Sequence, residues 1–151
     1  MAANNIKQGC GALIRASSTG RFLFLLRNSG KFPNTWGLVG GKIDNGESIE
    51  AGLIREISEE LGGSIKDAKI VPIEQYTSDS GVFVYHTFLI RVDDEFVPEL
   101  NSEHKGYCWV TLEGLPKPLH PGVEKTLTSE CIRKKLTVNT NSIFVEKQLN
   151  A

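Results

Sequence analysis

A 24-residue segment in the first half of the chain, GGKIDNGESIEAGLIREISEELGG from Gly40 to Gly63, constrains the fold most strongly. Its first seven residues include three glycines and predict a loop that packs closely on its neighbours. The stretch from about Ser48 to Leu61 has apolar residues at helical spacing, and Ser48 is a suitable N-cap. The two glycines after Leu61 end the helix. The segment therefore predicts a glycine-rich loop that leads directly into an amphipathic helix.

Three glutamates on this helix, Glu56, Glu59 and Glu60, have the spacing i, i+3 and i+4, so their carboxylates lie together on one side. An apolar stripe is predicted on the opposite side, formed by Ile54, Ile57 and Leu61 with Ala51 close beside it. Like charges at this spacing repel, and no lysine is placed to offset them. An ordinary solvated face is one interpretation. A bound divalent cation explains the cluster better, and hard oxygen ligands suit Mg²⁺ or Mn²⁺.

Gly52 lies within the predicted helix, on its acidic side. Glycine inside a helix is less favourable than alanine by about 1 kcal/mol, so its presence requires a reason. We therefore expect another part of the backbone to approach the helix closely at this position.

Apolar and β-branched segments around the helix predict a set of strands. They cover residues 11–16, 21–27, 36–39, 68–76, 82–92 and 107–110. Pro121 opens a second helix that we expect to continue to about Lys135. Strands mixed with two helices predict a single domain of the α/β or α+β class, spanning residues 1–151. We expect its tail, from about residue 137 to 151, to be loosely attached.

The overall composition excludes several classes of protein. The net charge is −1, from 17 basic and 18 acidic residues, so we expect neither a long nucleic acid nor a membrane surface as partner. The three cysteines, Cys10, Cys108 and Cys131, are widely spaced and argue against a disulfide framework and a zinc site. No apolar run approaches the roughly 18 residues of a membrane span, and the N-terminus lacks a signal-peptide pattern. We therefore expect a cytoplasmic protein.

The spacing of the charged residues resembles the Nudix box, the signature of the Nudix hydrolase family. Gly41 is followed after five residues by Glu47, and after seven more by the run REISEELG, which starts at Arg55. Eight of the nine fixed positions of the family pattern, G-x5-E-x7-R-E-U-x-E-E-x-G-U with U a bulky aliphatic residue, are met. The exception is the last position, Gly63, and many members have proline where Val39 stands. All the charged positions of the pattern are retained.

The resemblance implies an α/β/α sandwich with a mixed β-sheet and a Mg²⁺-dependent hydrolase, with Mn²⁺ as an alternative metal. Such enzymes cleave a pyrophosphate bond in a nucleoside diphosphate linked to another group. The negative phosphate oxygens repel a nucleophile, and bound metal ions offset that charge and activate water. By the same resemblance, Glu59 and Glu60 bind metal directly, together with the carbonyl of Gly41. Glu56 binds metal or accepts a proton from the attacking water, since family members differ here.

The remaining residues of the expected site lie beside the helix and in a later loop. Arg55 and Glu47 are expected to form an ion pair that fixes the loop against the helix and orients the carboxylates. Glu103 stands just before a predicted strand, where several Nudix branches have an acid that acts as an additional metal ligand or as the general base. An exposed loop glutamate is the alternative. We expect its neighbour His104 to be a loop histidine without a role, although imidazole is suited to proton transfer.

The identity of the substrate is less constrained by the sequence. Family members that prefer ADP-ribose carry a marker proline after the box, and those that prefer dinucleoside polyphosphates carry a marker tyrosine. In this chain these two positions hold Ser78 and Asp79, so neither marker is present. The small size of the chain favours a compact substrate, a nucleoside triphosphate or a dinucleoside polyphosphate. An ADP-ribose or nucleotide-sugar diphosphatase is the alternative, and a catalytically inactive nucleotide-binding module is the alternative of another class. A homodimer is left open.

Overall fold

The structure, a computed structural model, describes residues 6–63, 65, 68–137 and 147–148. The described residues form eight strands and three helices. The strands are β1 Lys7–Ala16, β2 Phe22–Arg27, β3 Trp36–Gly37, β4 Val39–Lys42, β5 Lys69–Thr77, β6 Phe83–Val92, β7 His104–Val110 and β8 Lys147–Gln148. The helices are α1 Ile49–Leu61, α2 Pro121–Thr128 and α3 Glu130–Thr137. Among these, no helix has the length and the apolar character to cross a bilayer.

Strand β1 is the centre of a mixed sheet. It lies parallel to β6 along its whole length, from the Lys7–Phe83 pair to the Ala16–Val92 pair. On its other edge β1 pairs antiparallel with β4 through its first half and with β2 through its last residues. The sheet order is β3-β2-β1-β6-β5-β8, and β7 pairs antiparallel with β2. The arrangement places the glycine-rich strand β4 directly beside the central strand.

The alternation of side chains along β1 separates two hydrophobic cores. Cys10, Ala12 and Ile14 face the core under α1, whereas Leu13 faces the core under α2 and α3. Leu53 and Leu61 of α1 are fully buried, and each such side chain contributes about 1.5–3 kcal/mol by leaving water. Helices on both faces of a mixed sheet make the α/β/α sandwich that the sequence predicts.

The orientation of α1 differs from the prediction. Ile57 and Leu61 are buried as expected, but Ala51 is exposed. Glu56 and Glu60 are also buried, with 8% and 2% of their surface exposed. Two of the three glutamates on the acidic side therefore do not face solvent, whereas Glu59 remains exposed. The two buried glutamates lie against the glycine strand β4, where the absence of side chains lets the carboxylates enter the protein.

Gly52 is required by side chains rather than by the backbone approach that the sequence suggested. A Cβ at this position would collide with the Cδ1 of Ile43 and would lie 3.0 Å from the Oε1 of Glu47. Both neighbours belong to the loop before α1. The glycine therefore lets this loop fold back tightly on the helix.

The single C-terminal helix predicted from Pro121 to Lys135 is two helices, α2 and α3. Ser129 between them has an extended conformation, with φ −74° and ψ 120°. Its hydroxyl accepts a hydrogen bond from the backbone N–H of Ile132 at 3.4 Å, an alternative to a continuous helix that serine side chains favour. Of the predicted loose tail, β8 pairs with β5, and residues 138–146 and 149–151 lie outside the described residues.

Candidate active site

Arg55 ties the loop that precedes α1 to the helix. Its Nε donates to Glu47 Oε2 at 2.9 Å, and its Nη2 donates to Glu47 Oε1 at 3.1 Å and to the carbonyl of Lys42 at 2.8 Å. The ion pair expected from the sequence is therefore present in two-bond form. These hydrogen bonds from Arg55 hold the pKa of Glu47 below its usual range. Together they fix the end of β4 against the middle of α1.

The remaining nitrogen of Arg55 faces two of the helix glutamates. Its Nη1 lies 3.1 Å from Glu56 Oε1 and 3.2 Å from Glu59 Oε1. The side chain of Glu59 is half exposed, whereas Glu56 is buried, and burial raises the pKa of Glu56. One guanidinium therefore pairs with four carboxylates, counting Glu47 and also Asp44, whose Oδ2 lies 3.4 Å from Arg55 Nε, so the carboxylates outnumber the cation.

The paired glycines of β4 lie against the buried carboxylates. The backbone N–H of Gly40 donates to Glu60 Oε1 at 2.7 Å. A Cβ at Gly41 would lie 2.5 Å from the Cδ and Oε1 of Glu56, closer than van der Waals contact allows. A Cβ at Gly40 would collide with the carbonyl of Cys10, and the φ of Gly40 is +156°. Each glycine is thus required by a close approach at this site.

Glu60 meets Glu103, which directly precedes β7, and His104, the first residue of β7. One ligand atom from each of the three side chains lies within 4.8 Å of the other two. The distance between His104 Nδ1 and Glu60 Oε2 is 3.8 Å. Glu60 is almost completely buried, and desolvation raises its pKa to about 9. The structure therefore brings Glu60 of the Nudix box together with Glu103, which lies outside the box in the sequence.

His104 does not lie in the loop that the sequence predicted for it. Only 7% of its surface is exposed, and it is the first residue of β7, a strand predicted to begin at Tyr107. Burial lowers the pKa of His104, so its imidazole is neutral near pH 7. Its Nδ1 is buried and has no hydrogen-bond partner among the residues that the structure describes. The sequence placed the start of this strand too late, because Lys105 and Gly106 do not favour β-structure.

The loop that carries Glu103 is anchored at several points. The backbone N–H of Glu103 donates to Asn101 Oδ1 at 3.0 Å, and the carbonyl of Glu103 accepts from the N–H of Asn28 at 2.8 Å. The Nδ2 of Asn101 donates in turn to the carbonyl of Glu59 at 2.8 Å. These contacts hold the exposed carboxylate of Glu103 beside the last turn of α1.

The chemistry of this acidic cluster fits a divalent cation. A buried carboxylate without a counter-ion is unfavourable, and no lysine or arginine of the described part of the chain pairs with Glu60. Glu56, Glu59 and Glu60 lie on the same side of α1 by their helical spacing, and a carboxylate oxygen of Glu103 lies within 4.8 Å of one of Glu60. Hard oxygen donors at this density are the ligands that Mg²⁺ and Mn²⁺ prefer.

A cleft of about 480 Å³ adjoins the cluster on the other face of the sheet. Gly40 and Gly41 form the boundary that the two share. The walls are mainly apolar and aromatic, and the first residues of α2 close one side. The lining includes Arg27, Leu38, Glu74, Tyr76, Phe83, Tyr85, Thr87, Val123, Lys125 and Thr126. This volume falls within the range of about 300–1,000 Å³ that is common for small-molecule sites.

Polar side chains at the rim of the cleft are held in place by specific contacts. The Nζ of Lys125 lies 4.7 Å from the ring centroid of Tyr76, a cation–π arrangement. The hydroxyl of Thr126 donates to Glu74 Oε1 at 2.9 Å. His120 caps α2 by accepting, through Nδ1, the N–H of Gly122 at 3.0 Å. Sequence reasoning did not identify this cleft, because its residues come from six separate elements and share no local motif.

Comparisons with known proteins agree with this fold and this site. A family model of the NUDIX domain matches residues 7–129. The nucleoside triphosphatase NudI of Escherichia coli and Shigella sonnei is 34% identical over 109 residues, which cover 65% of this chain and 77% of that protein. The chain therefore belongs to the NUDIX domain family. It is a Nudix-type hydrolase of the nucleotide pyrophosphohydrolase class.

Solved structures give the same result for the fold. The MutT NUDIX hydrolase from Burkholderia pseudomallei is 28% identical, with a TM-score of 0.62 over 82% of this chain and 97% of that one. The MutT protein from Methanosarcina mazei Go1 is 27% identical, with a TM-score of 0.66 over 89% and 99%. The NUDIX domain of Shewanella oneidensis NrtR, solved with ADP ribose, shares the fold at a TM-score of 0.70 and 20% identity.

Proposed function

We propose that this protein is a Mg²⁺-dependent enzyme that hydrolyses a pyrophosphate bond of a nucleoside triphosphate. The observation that carries the proposal is the shared boundary at Gly40 and Gly41, where an apolar cleft meets a buried acidic cluster. A nucleoside in the cleft would extend its phosphates toward the carboxylates. One molecule of a nucleotide suits a cleft of about 480 Å³.

In this proposal Glu59, Glu60 and Glu103 bind the metal, together with the carbonyl of Gly41, and Mn²⁺ is an alternative to Mg²⁺. When bound, the metal would offset the charge of the phosphate oxygens and lower the pKa of water. Glu60 is oriented for this role by the Gly40 N–H at 2.7 Å. Arg55 and Glu47 would act as positioning residues, since their ion pair fixes the loop that leads from Gly41 to the helix.

The proton of the attacking water needs an acceptor. As the water oxygen bonds to phosphorus, the P–O bond to the leaving group breaks, and the proton passes to a carboxylate. Glu56 is suited to accept it, because burial raises its pKa toward the range in which a general base is effective. Glu103 is the alternative base. Glu56 would otherwise be a further metal ligand.

Aromatic and basic residues of the cleft support a nucleotide as the substrate. Tyr76, Phe83 and Tyr85 offer ring faces for a base, and Arg27 and Lys125 are cations near the expected path of the phosphates. A nucleoside triphosphate is favoured because NudI, the curated relative at 34% identity, is a nucleoside triphosphatase. A dinucleoside polyphosphate, ADP-ribose or a nucleotide sugar would use the same cluster.

The organisation and location of the protein are further parts of the proposal. The family match over residues 7–129 supports one catalytic domain. The free cysteines Cys10, Cys108 and Cys131 support the reducing environment of the cytoplasm. A small nucleotide is the only partner that we propose.

A panel of nucleotides tests the proposal directly. Nucleoside triphosphates, dinucleoside polyphosphates, ADP-ribose, NADH and nucleotide sugars would be incubated with Mg²⁺ or with EDTA in H₂¹⁸O, and the products analysed by ³¹P NMR. We expect metal-dependent cleavage of at least one nucleoside triphosphate, with ¹⁸O in one product that identifies the phosphorus attacked. Nucleotide binding that raises the melting temperature without any cleavage would instead favour a binding module.

Substitution of the proposed ligands gives a second test. Glu59→Gln and Glu60→Gln should each lower turnover by about a hundredfold or more, because even the supporting groups of a metal site are worth about 10- to 100-fold. Glu113→Gln, an exposed glutamate on the short 3₁₀ turn after β7, is the matched control. Near-normal turnover in both cluster variants would refute the assignment of these ligands.

A further inference from the structure

The imidazole of His104 is the least explained polar group near the acidic cluster. We propose that His104 Nδ1 is a nitrogen ligand of the divalent metal bound by Glu60 and Glu103, and that it makes this position prefer Mn²⁺ to Mg²⁺. The inference rests on the proposed function only in placing a metal at Glu60. No residue of the family pattern corresponds to His104.

The positions of the three side chains are compatible with a shared ion. Ligands that each lie about 2.1 Å from an octahedral metal are separated from one another by about 3 Å when adjacent and about 4.2 Å when opposite. The observed 3.8 Å between His104 Nδ1 and Glu60 Oε2 falls between these values. The Glu103 carboxylate, within 4.8 Å of both, is exposed, so a change of its rotamer would not disturb the core.

The environment of His104 Nδ1 favours a ligand over a plain structural role. Buried polar nitrogens in proteins are nearly always satisfied, yet this atom has no hydrogen-bond partner among the described residues. At 3.8 Å, Glu60 is too distant to accept a hydrogen bond from it. An ion between the two side chains would satisfy the nitrogen and also supply the counter-ion that buried Glu60 lacks.

The backbone holds the imidazole in a fixed position. His104 pairs with Arg27 of β2 at the edge of the sheet, and its N–H donates to the carbonyl of Asn101 at 3.3 Å. Glu60 is fixed by the N–H of Gly40. Two of the three ligand side chains are therefore placed by the fold before any metal arrives, and only Glu103 belongs to a loop.

A nitrogen ligand changes which metal the site prefers. Mg²⁺ is a hard cation that strongly favours oxygen donors and retains its water, whereas Mn²⁺ accepts imidazole more readily and exceeds Mg²⁺ in affinity for mixed sites. Replacing one oxygen of an all-oxygen site by His104 Nδ1 should therefore weaken Mg²⁺ binding relative to Mn²⁺ binding.

Pulsed EPR of the Mn²⁺-loaded protein tests nitrogen ligation without any measurement of activity. We expect ¹⁴N modulation in the electron spin echo of bound Mn²⁺ in the absence of nucleotide. The modulation should change to the ¹⁵N pattern when histidine alone is ¹⁵N-labelled. The chain has three histidines, so variants are needed to identify which one binds the metal. His104→Phe should abolish the ¹⁴N modulation. The control His86→Gln should retain it, because the imidazole of His86 hydrogen-bonds Gln8 elsewhere in the sheet.

Metal affinities provide the selectivity readout. Titration of free Mn²⁺ by EPR should show a loss of about tenfold in affinity for His104→Phe, the scale on which a single supporting group acts at a metal site. Mg²⁺ affinity, measured by competition, should change by less than about threefold, since oxygen ligands dominate its binding.

The outcomes separate this inference from the proposed function. Bound Mn²⁺ without nitrogen coupling in the wild-type protein would overturn the role of His104, whether or not the His104→Phe variant folds. If Glu60→Gln still weakened Mn²⁺ binding in that case, the proposed metal site would stand. If Glu60→Gln bound Mn²⁺ as tightly as the wild type, or if the wild type bound none at millimolar Mn²⁺, both the proposed metal site and the role of His104 would be refuted.

Discussion

Arg55 and Glu47 form a two-bond ion pair across the base of the glycine loop. The Nε and Nη2 of Arg55 face the two oxygens of Glu47 at 2.9 Å and 3.1 Å. The planar guanidinium fits a carboxylate in this manner, and its Nη2 also reaches the carbonyl of Lys42. The pair thereby connects the end of β4, which carries Gly41, to the helix that carries the acidic cluster.

Arg55→Lys should lower kcat/KM with a nucleoside triphosphate by about 10- to 100-fold, because a lysine cannot make the paired contacts that orient the loop. The matched control is Arg21→Lys. Arg21 makes the same two-bond pair with Glu95, at 2.6 Å and 2.9 Å, away from the cluster and the cleft. Steady-state kinetics and melting temperatures of both variants check the prediction. Equal losses of activity in the two variants would remove the positioning role of Arg55.

Contacts within the box were predictable from the sequence because they are local. The ion pair of Arg55 and Glu47 was expected from the resemblance to the Nudix box, and its two residues belong to one helix and the loop that enters it. Ser48 is likewise the N-cap that its residue type suggests, and its hydroxyl accepts the N–H of Ala51 at 3.1 Å. Local patterns also predicted strands mixed with helices, and the α/β/α sandwich implied by the resemblance was confirmed, although the C-terminal helix is two helices and β8 was not predicted.

Contacts between distant segments were not predictable in this way. Glu60 and His104 are more than 40 residues apart in the sequence and meet only because β7 pairs with β2 beside the end of α1. The burial of Glu56 was missed because helical periodicity treats a glutamate as polar and cannot register a facing strand made of glycine. The cleft was missed because its walls come from distant segments, and residues such as Tyr76 and Lys125 meet through tertiary packing alone.

Gly41→Ala should lower turnover by about tenfold or more. The new Cβ would lie 2.5 Å from the carboxylate of Glu56, so that side chain must shift by a distance that matters for catalysis. Gly63→Ala is the control, because a Cβ there meets no atom within 4 Å. The control should keep full activity. Unaltered kinetics in Gly41→Ala would show that the close packing of glycine and Glu56 has no catalytic consequence.

Lys125→Ala should raise KM for a nucleoside triphosphate about three- to tenfold and leave kcat nearly unchanged. Lys125 lies over the ring of Tyr76 at the rim of the cleft and is not part of the acidic cluster, so we expect it to contribute to binding rather than to the chemical step. Lys134→Ala, an exposed lysine on α3, should change neither constant. A fall in kcat at constant KM would contradict the assignment of the cleft to ground-state binding.

Glu60 should make the metal-free protein less stable as the pH rises. Its pKa is about 9 in the folded protein against an ordinary value of 4.5, so between these values the folded state holds a proton that the unfolded state has released. The free energy of unfolding therefore decreases with pH across this window and is constant beyond it. The cause is burial of the carboxylate, which disfavours its charged form.

Urea unfolding in EDTA at pH 5.5 and pH 8.5 checks this expectation for the wild type and Glu60→Gln. Glutamine keeps an oxygen for the Gly40 N–H but carries no proton to lose. The wild type should therefore lose more stability than the variant between the two pH values, by about 1 kcal/mol or more, since one unit of pKa corresponds to about 1.4 kcal/mol. Titratable groups remote from Glu60 cancel in this difference. Saturating Mg²⁺ should restore the stability of the wild type at pH 8.5 and have a smaller effect on the variant. If the stabilities of the two proteins in EDTA changed with pH in parallel, burial would not hold Glu60 in its neutral form.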